Sequence, residues 1–112
     1  MKKIILLTFT AIAVIVISVG CKKSTTSTSP GTNEVFMQNT AFSPSSITVA
    51  VNTTIKWTNK DGMAHTVTST SGLFDSGNIS SGSTYSHQFT ATGTYAYKCT
   101  IHSGMSGTVI VQ

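Results

Sequence analysis

Arginine is absent from this chain, and charged residues of any kind are scarce. Of its 112 residues, seven are basic and three are acidic, and every basic residue is lysine. Without arginine there is no planar guanidinium group for bidentate recognition of phosphate. Four of the lysines lie before residue 24, and beyond that point three lysines balance three carboxylates. The formal charge of +4 therefore belongs to the N-terminal segment, and we expect no nucleic-acid partner.

Cysteine is almost as rare, since the chain has only Cys21 and Cys99. In an oxidising compartment these two could pair. If Cys21 is modified in another way, Cys99 is left as a lone thiol, and metal ligation would explain its presence. The alternative is a buried, inert cysteine, which is common in proteins. The three carboxylates form no evident acid–base pair, so the sequence does not indicate an enzyme.

The N-terminal segment has the pattern of an export signal. Residues 1–20 consist of M-K-K, an apolar run and a glycine, and Cys21 follows directly. A positive start, an apolar centre and a small residue at the cleavage point predict a signal peptide. The Gly20-Cys21 junction resembles a bacterial lipoprotein signal, in which Cys21 is acylated. The alternative is an uncleaved anchor, for which the run is at the short end of the roughly 17–25 residues needed. Both interpretations predict an exported domain, periplasmic or at the cell surface, anchored to a membrane.

Residues 21–33 form the next segment, and from residue 22 onward they lack any aliphatic or aromatic side chain. Such a composition cannot build a core, so we predict a disordered tether. A flexible linker of this length has a root-mean-square span on the order of 20 Å. The folded domain is therefore predicted to occupy residues 34–112.

Within that domain no window shows sustained helical periodicity. Short alternating runs are separated by Gly, Ser, Thr, Asn and Pro, which is typical of an all-β sandwich. We predict strands at residues 35–38, 47–51, 54–59, 65–70, 84–90, 94–99 and 108–111. The turn-rich stretch 72–82 could hold either a short strand or an irregular loop.

Three soft metal donors follow one another near the C-terminus. In the stretch Y-A-Y-K-C-T-I-H-S-G-M-S-G, two residues separate Cys99 from His102 and His102 from Met105. A thiolate, an imidazole and a thioether together favour copper. A second imidazole could come from His65. The competing imidazole, His87, lies in the predicted strand Y-S-H-Q-F and is interpreted as a strand residue rather than a ligand.

These residues carry a resemblance to a known family. The segments I-K-W-T-N-K-D-G-M-A-H and G-T-Y-A-Y-K-C-T-I-H-S-G-M-S-G-T-V-I-V, together with an upstream F-S-P, resemble the plastocyanin-like cupredoxins, which are blue type 1 copper proteins. The two-residue gap after His102 is most similar to that of amicyanin. The resemblance implies a Greek-key β-sandwich holding one copper ion that cycles between Cu(II) and Cu(I). It also implies the ligands, with His65, Cys99 and His102 in the copper plane and Met105 as a weak axial ligand.

Two positions depart from the pattern of the family. Thr66 stands where many relatives have an asparagine that braces the ligand loops, and Ile101 stands where many have proline. Both departures bear on the reduction potential and on the rigidity of the loops. We expect Met63 and Ile101, with the small residues Ala64 and Gly104, to surround the exposed edge of His102. Redox partner proteins would dock weakly there, because electron-transfer encounters use small interfaces.

The sequence thus predicts a monomeric electron-transfer protein with a mononuclear type 1 copper site. Four ligands leave no coordination position for a substrate, so the prediction is not an enzyme. An alternative is copper binding for delivery or storage outside the cytoplasm. A third interpretation is a metal-free sandwich used for adhesion.

Overall fold

The fold is defined by a computed structural model, which describes residues 29–112. Eight strands occupy this range, and it contains no helix. They are β1 Glu34–Gln38, β2 Ala41–Ser43, β3 Ser46–Val49, β4 Thr54–Asn59, β5 Thr68–Ser69, β6 Thr84–Gln88, β7 Gly93–Lys98 and β8 Ser106–Val111. The predicted all-β class is confirmed.

The strands form two four-stranded sheets. One has the order β2-β1-β4-β6 and the other β3-β8-β7-β5. The pairs β1–β4 and β3–β8 are parallel, whereas the remaining neighbours are antiparallel. Because parallel partners cannot be joined by a tight hairpin, the chain crosses repeatedly between the sheets. The result is the predicted sandwich, with its core between the two inner faces.

Trp57 on β4 is fully buried in that core. Its ring lies 5.4 Å from the ring of Tyr97 on β7 and 5.8 Å from that of Tyr85 on β6. The remaining buried side chains that enclose it come from both sheets and include Val35, Met37, Phe42, Ile55, Phe89 and Val109. Such a core fixes the relative position of the sheets, and thereby of the loops at their ends.

The strand predicted at residues 65–70 is wrong in its extent, since only Thr68–Ser69 is regular. The residues before it pair with a loop instead of a strand: His65 forms an isolated bridge with Ile79, and the backbone carbonyl of Val67 accepts from the Ser76 backbone N–H at 3.0 Å. The stretch 72–82 accordingly contains bridges but no regular strand. Strand β2 has only three residues, too few for an alternating pattern to reveal it from the sequence.

The predicted signal segment, residues 1–20, and most of the predicted tether lie outside the described residues. The end of the tether, residues 31–33, forms a turn before β1, in which the carbonyl of Gly31 accepts from Glu34 N at 3.2 Å. The carbonyl of Asn33 accepts from Lys56 N at 3.0 Å. Within residues 29–112 no helix is long and apolar enough to cross a membrane.

Candidate metal centre

His65 is held in place by its backbone. Its N–H donates to the carbonyl of Ile79 at 3.1 Å, and its carbonyl accepts from Ile79 N at 2.7 Å. The side chain is fully buried at one end of the sandwich. The chain direction at this point therefore aims the imidazole into the protein rather than into solvent.

The other predicted donors lie in the loop between β7 and β8. The Cys99 N–H donates to the carbonyl of Met105 at 2.9 Å, and the Met105 N–H donates to the carbonyl of His102 at 3.3 Å. Gly104 closes this loop with a φ of 86°, a value that side-chain-bearing residues rarely adopt. The two hydrogen bonds and the glycine turn bring Cys99, His102 and Met105 into one compact loop.

Folding brings three of the predicted donors together. The Nδ1 atoms of His65 and His102 are 3.1 Å apart, and the Cys99 Sγ lies 3.8 Å from the first and 3.7 Å from the second. These ligand atoms are the one group of at least three such donors found in the described part of the chain. Donors bonded at about 2.0–2.3 Å to one ion lie roughly 3–4 Å from each other. The spacing therefore fits a single metal ion, and the donor types favour copper.

Met105 lies in the same loop as Cys99 and His102. It is buried, with 3% of its surface exposed. Its backbone is tied to both Cys99 and His102. Its predicted role as a weak axial ligand stays a prediction.

The Cys99 thiol lies in an environment that favours the thiolate. Burial raises the pKa of Cys99, but the Thr66 N–H, the His102 ring and the backbone N–H groups of His102 and Ile101 outweigh it and lower the pKa to about 6. The Thr66 N–H lies 3.4 Å from the sulfur. At neutral pH the group is therefore in the form that binds metals.

Thr66 also braces the two segments that carry the donors. Its hydroxyl oxygen accepts from the Thr100 N–H at 2.8 Å and lies 3.1 Å from the Thr100 hydroxyl and 3.0 Å from that of Thr68. Thr66 thus provides a side-chain link between the two segments. Thr100, which the sequence analysis did not single out, is the partner in that link.

Asp61 is a further residue of the centre that the sequence analysis did not identify. Its Oδ2 lies 2.7 Å from Nε2 of His65 and accepts from the Thr40 N–H at 3.0 Å, while its Oδ1 accepts from the Asn39 N–H at 2.8 Å. Burial raises the pKa of Asp61, but the Thr40 N–H, the His65 ring and the Asn39 N–H lower it below its usual value. The feature of the sequence that could have identified Asp61 is its position four residues before His65.

His87 lies elsewhere, on β6. Its ring is 4.7 Å from that of Phe74 and 4.9 Å from that of Phe89, and burial lowers its pKa. It is absent from the donor group. This agrees with its interpretation as a strand residue.

The proposed ligands and their neighbours in sequence differ in exposure. His102 is partly exposed, whereas His65 and Cys99 are buried. Met63, two residues before His65, exposes 49% of its surface, and Ile101, directly before His102, exposes 47%. The predicted docking surface for redox partners stays a prediction.

The fold and the site together define a class: a β-sandwich protein with a mononuclear metal centre of imidazole and thiolate donors at one end. A family profile for the cupredoxin-like domain matches residues 9–111, and the chain belongs to this family. Among curated relatives, it is 33% identical to plastocyanin of Scenedesmus fuscus over 89 residues, 63% of this chain and 86% of that one. It is 32% identical to amicyanin-alpha of Methylorubrum extorquens over 87 residues, 73% of each chain.

Solved structures of cupredoxins have the same fold. An oxidised proline-to-alanine variant of amicyanin superposes with a TM-score of 0.67 at 30% identity, over 70% of this chain and 80% of that one. A purple cupredoxin from Nitrosopumilus maritimus gives 0.65 at 28% identity, over 70% of this chain and 98% of that one. A copper-containing nitrite reductase from Thermus scotoductus also matches, but over only 22% of its own chain. The family resemblance is thus confirmed, and one copper ion, the cofactor of cupredoxins, fits the donors described.

Proposed function

We propose that this protein transfers single electrons through a mononuclear type 1 copper centre. The observation that supports this most directly is the convergence of two imidazole Nδ1 atoms and one thiolate within 3.1–3.8 Å of each other, on a cupredoxin sandwich. In this proposal His65, Cys99 and His102 would hold the ion strongly and Met105 would hold it weakly. Bound copper supplies a one-electron couple between Cu(II) and Cu(I).

The residues around the centre keep the donors in one arrangement. His65, Cys99 and Met105 are buried, so water has little access to their ligand atoms. The Thr66 hydroxyl links their segments, as described above. A donor set that moves little between two oxidation states needs little reorganisation, which suits electron transfer. Four donors also leave no coordination position for a substrate, so the proposal does not include catalysis at the metal.

Electrons would enter and leave through His102, the ligand whose side chain is partly exposed. Redox partner proteins would dock on the apolar surface that includes Met63 and Ile101. Lysines and carboxylates balance in residues 34–112, so long-range steering by net charge would be weak. These features suit brief encounters over a small area.

We place this activity outside the cytoplasm. The export-type segment at residues 1–20 and the cysteine at position 21 support a lipid-anchored, monomeric protein, periplasmic or at the cell surface. Acylation at Cys21 would hold the domain near the membrane, and the polar tether would let it reach partners in the same compartment.

Electron self-exchange of the copper-loaded chain tests this function. We expect rapid exchange in mixtures of oxidised and reduced protein, measured by NMR line broadening. The variant Ile101→Lys should slow it, because two copies would then meet with like charges across the docking surface. The matched control is Leu73→Lys, which adds the same charge at a residue that is 62% exposed in the groove formed with Phe74 and Tyr95.

Slow exchange combined with rapid loss of copper to a chelator would instead support copper delivery or storage. Equal exchange rates for the two lysine variants would refute the docking surface at Ile101.

A further inference from the structure

The turn between β1 and β2 is connected to the metal centre through one carboxylate. Gln38 pairs with Ala41, so the hairpin loop consists of Asn39 and Thr40 alone. Both have positive φ, 55° and 57°, as a type I′ turn requires. This conformation is unfavourable for a β-branched residue such as Thr40. The turn therefore needs support from elsewhere in the structure.

Asp61 provides that support. Its two oxygens accept from the N–H groups of Asn39 and Thr40 at 2.8 and 3.0 Å. The Asp61 N–H donates to the Asn59 Oδ1 at 2.9 Å, and the Asn59 Nδ2 donates to the carbonyls of Met63 and Ile79 at 2.8 and 2.9 Å. The carboxylate is thus fixed on both sides, by the hairpin turn and by the loop that leads to His65.

The same carboxylate determines which nitrogen of His65 carries hydrogen. An ionised carboxylate is only an acceptor, so Nε2 of His65, at 2.7 Å from Oδ2, must donate. In a neutral imidazole the other nitrogen, Nδ1, then has a free lone pair. Nδ1 is the atom that faces the His102 Nδ1 and the Cys99 Sγ.

We propose that Asp61 is a positioning residue of the metal centre. It holds His65 as the Nε2–H tautomer, with Nδ1 directed at the metal. Asp61 is itself held in place by the backbone N–H groups of the β1–β2 hairpin. Its negative charge also makes the imidazole a stronger donor, which favours Cu(II) over Cu(I). This inference rests on the proposed copper site, but the tautomer can be measured without any metal.

The variant Asp61→Asn separates these effects, because an amide cannot satisfy all three donors. If the amide nitrogen takes the place of Oδ2, it faces the Thr40 N–H without being able to accept from it. The same nitrogen then donates to Nε2 of His65, which must be unprotonated, so the ring hydrogen moves to Nδ1. If its nitrogen replaces Oδ1, it opposes the Asn39 N–H. The first arrangement blocks the metal-binding nitrogen, and the second weakens the turn.

The first measurement uses the metal-free full chain and long-range ¹H–¹⁵N NMR spectra of the histidine rings. We expect the Nε2–H tautomer of His65 in the unmodified protein. In Asp61→Asn we expect either the Nδ1–H tautomer or a weakened hydrogen bond at the Asn39 N–H, which the shift and exchange rate of that amide report. The double variant Thr40→Gly with Asp61→Asn guards against unfolding, because glycine adopts positive φ without strain. Its reference is Thr40→Gly alone.

The second measurement compares copper binding and reduction potential. We expect the Cu(II) dissociation constant of Asp61→Asn to rise about 10- to 100-fold, as for other partners of ligating histidines. The reduction potential should become more positive. The matched control is Glu34→Gln, which removes the same charge from a carboxylate bonded to Thr58 and Lys56 instead of to a ligand.

If folded Asp61→Asn, or the double variant, kept both the His65 tautomer and the hydrogen bond of the Asn39 N–H, the proposal would be overturned, because either arrangement of the amide must lose one of the two. A rise of the potential in Glu34→Gln equal to that in Asp61→Asn would also overturn it, since charge alone would then explain the shift. If the chain bound no copper but the tautomer changed as expected, the proposed function would fail while the positioning role of Asp61 would stand.

Discussion

Thr66 follows the first proposed copper ligand directly, and its single hydroxyl group serves three partners. It accepts from the Thr100 N–H and lies within hydrogen-bond distance of the hydroxyls of Thr100 and Thr68. Thr66 itself is buried, so its hydroxyl depends on these partners rather than on water. The contact joins the segment of His65 to that of Cys99 through side-chain chemistry rather than through a β-ladder.

Removing this hydroxyl should therefore weaken the protein. We expect Thr66→Val, which keeps the shape of the side chain, to lower the free energy of unfolding by about 1–3 kcal/mol, because the Thr100 N–H loses its partner. Urea unfolding of the metal-free chain measures this. The control Thr94→Val changes an exposed threonine on β7 and should shift stability by no more than about 0.5 kcal/mol. Equal stabilities for the two variants would show that the Thr66 link contributes nothing.

At this scale the donors could be predicted from sequence, but their supporting residues could not. Cys99, His102 and Met105 lie close together in the chain, so their spacing and chemistry identify them directly. Asp61 is linked to Asn39 and Thr40 across more than twenty residues, and nothing in the local pattern reveals that contact. The bracing role of Thr66 depends on Thr100, which is brought near only by folding.

The hairpin of β7 and β8 is the element that presents most of the centre. Tyr97 on β7 pairs with Gly107 on β8, and the tyrosine ring covers the glycine. A Cβ atom added at Gly107 would overlap the Tyr97 ring. Burial raises the pKa of Tyr97 to about 12, so the ring is neutral and packs as an apolar group beside Trp57. Gly107 thus permits the aromatic packing that anchors the hairpin.

Adding one methyl group at that position should disturb the hairpin. We expect Gly107→Ala to destabilise the protein by about 1–3 kcal/mol, the usual cost of overpacking. The control is Gly62→Ala, because a Cβ at Gly62 meets nothing within 4 Å. Thermal and urea unfolding of both variants measure the difference. If Gly107→Ala were as stable as Gly62→Ala, the Tyr97 packing would have to be more adaptable than the structure indicates.

Among the strands, prediction succeeded where alternation was clear. The pattern at residues 54–59 matches β4 over its full length, because Ile55 and Trp57 alternate with exposed residues. It failed at residues 65–70, where His65 and Val67 bond to the 75–79 loop instead of to a neighbouring strand. An alternating pattern shows only that one face of a segment is buried. It does not show whether the segment pairs with a strand or with a loop.

For the whole molecule, the sandwich brings together donors that are far apart in sequence. His65 and Cys99 are separated by 34 residues, yet Nδ1 and Sγ lie 3.8 Å apart. The two sheets achieve this through the shared core around Trp57, which sets the position of the loops at their ends. The family resemblance predicted this proximity, whereas periodicity and spacing alone left His65 only a candidate.

A titration of the metal-free full chain with Cu(II), followed by visible and EPR spectra, tests the central claim most directly. We predict saturation at one copper per chain with an intense thiolate-to-copper absorption, because the Cys99 thiolate and the imidazoles of His65 and His102 surround one ion. The absorption should disappear in Cys99→Ser and persist in His87→Ala. The absence of a saturable band, or a band that survives in Cys99→Ser, would contradict the account.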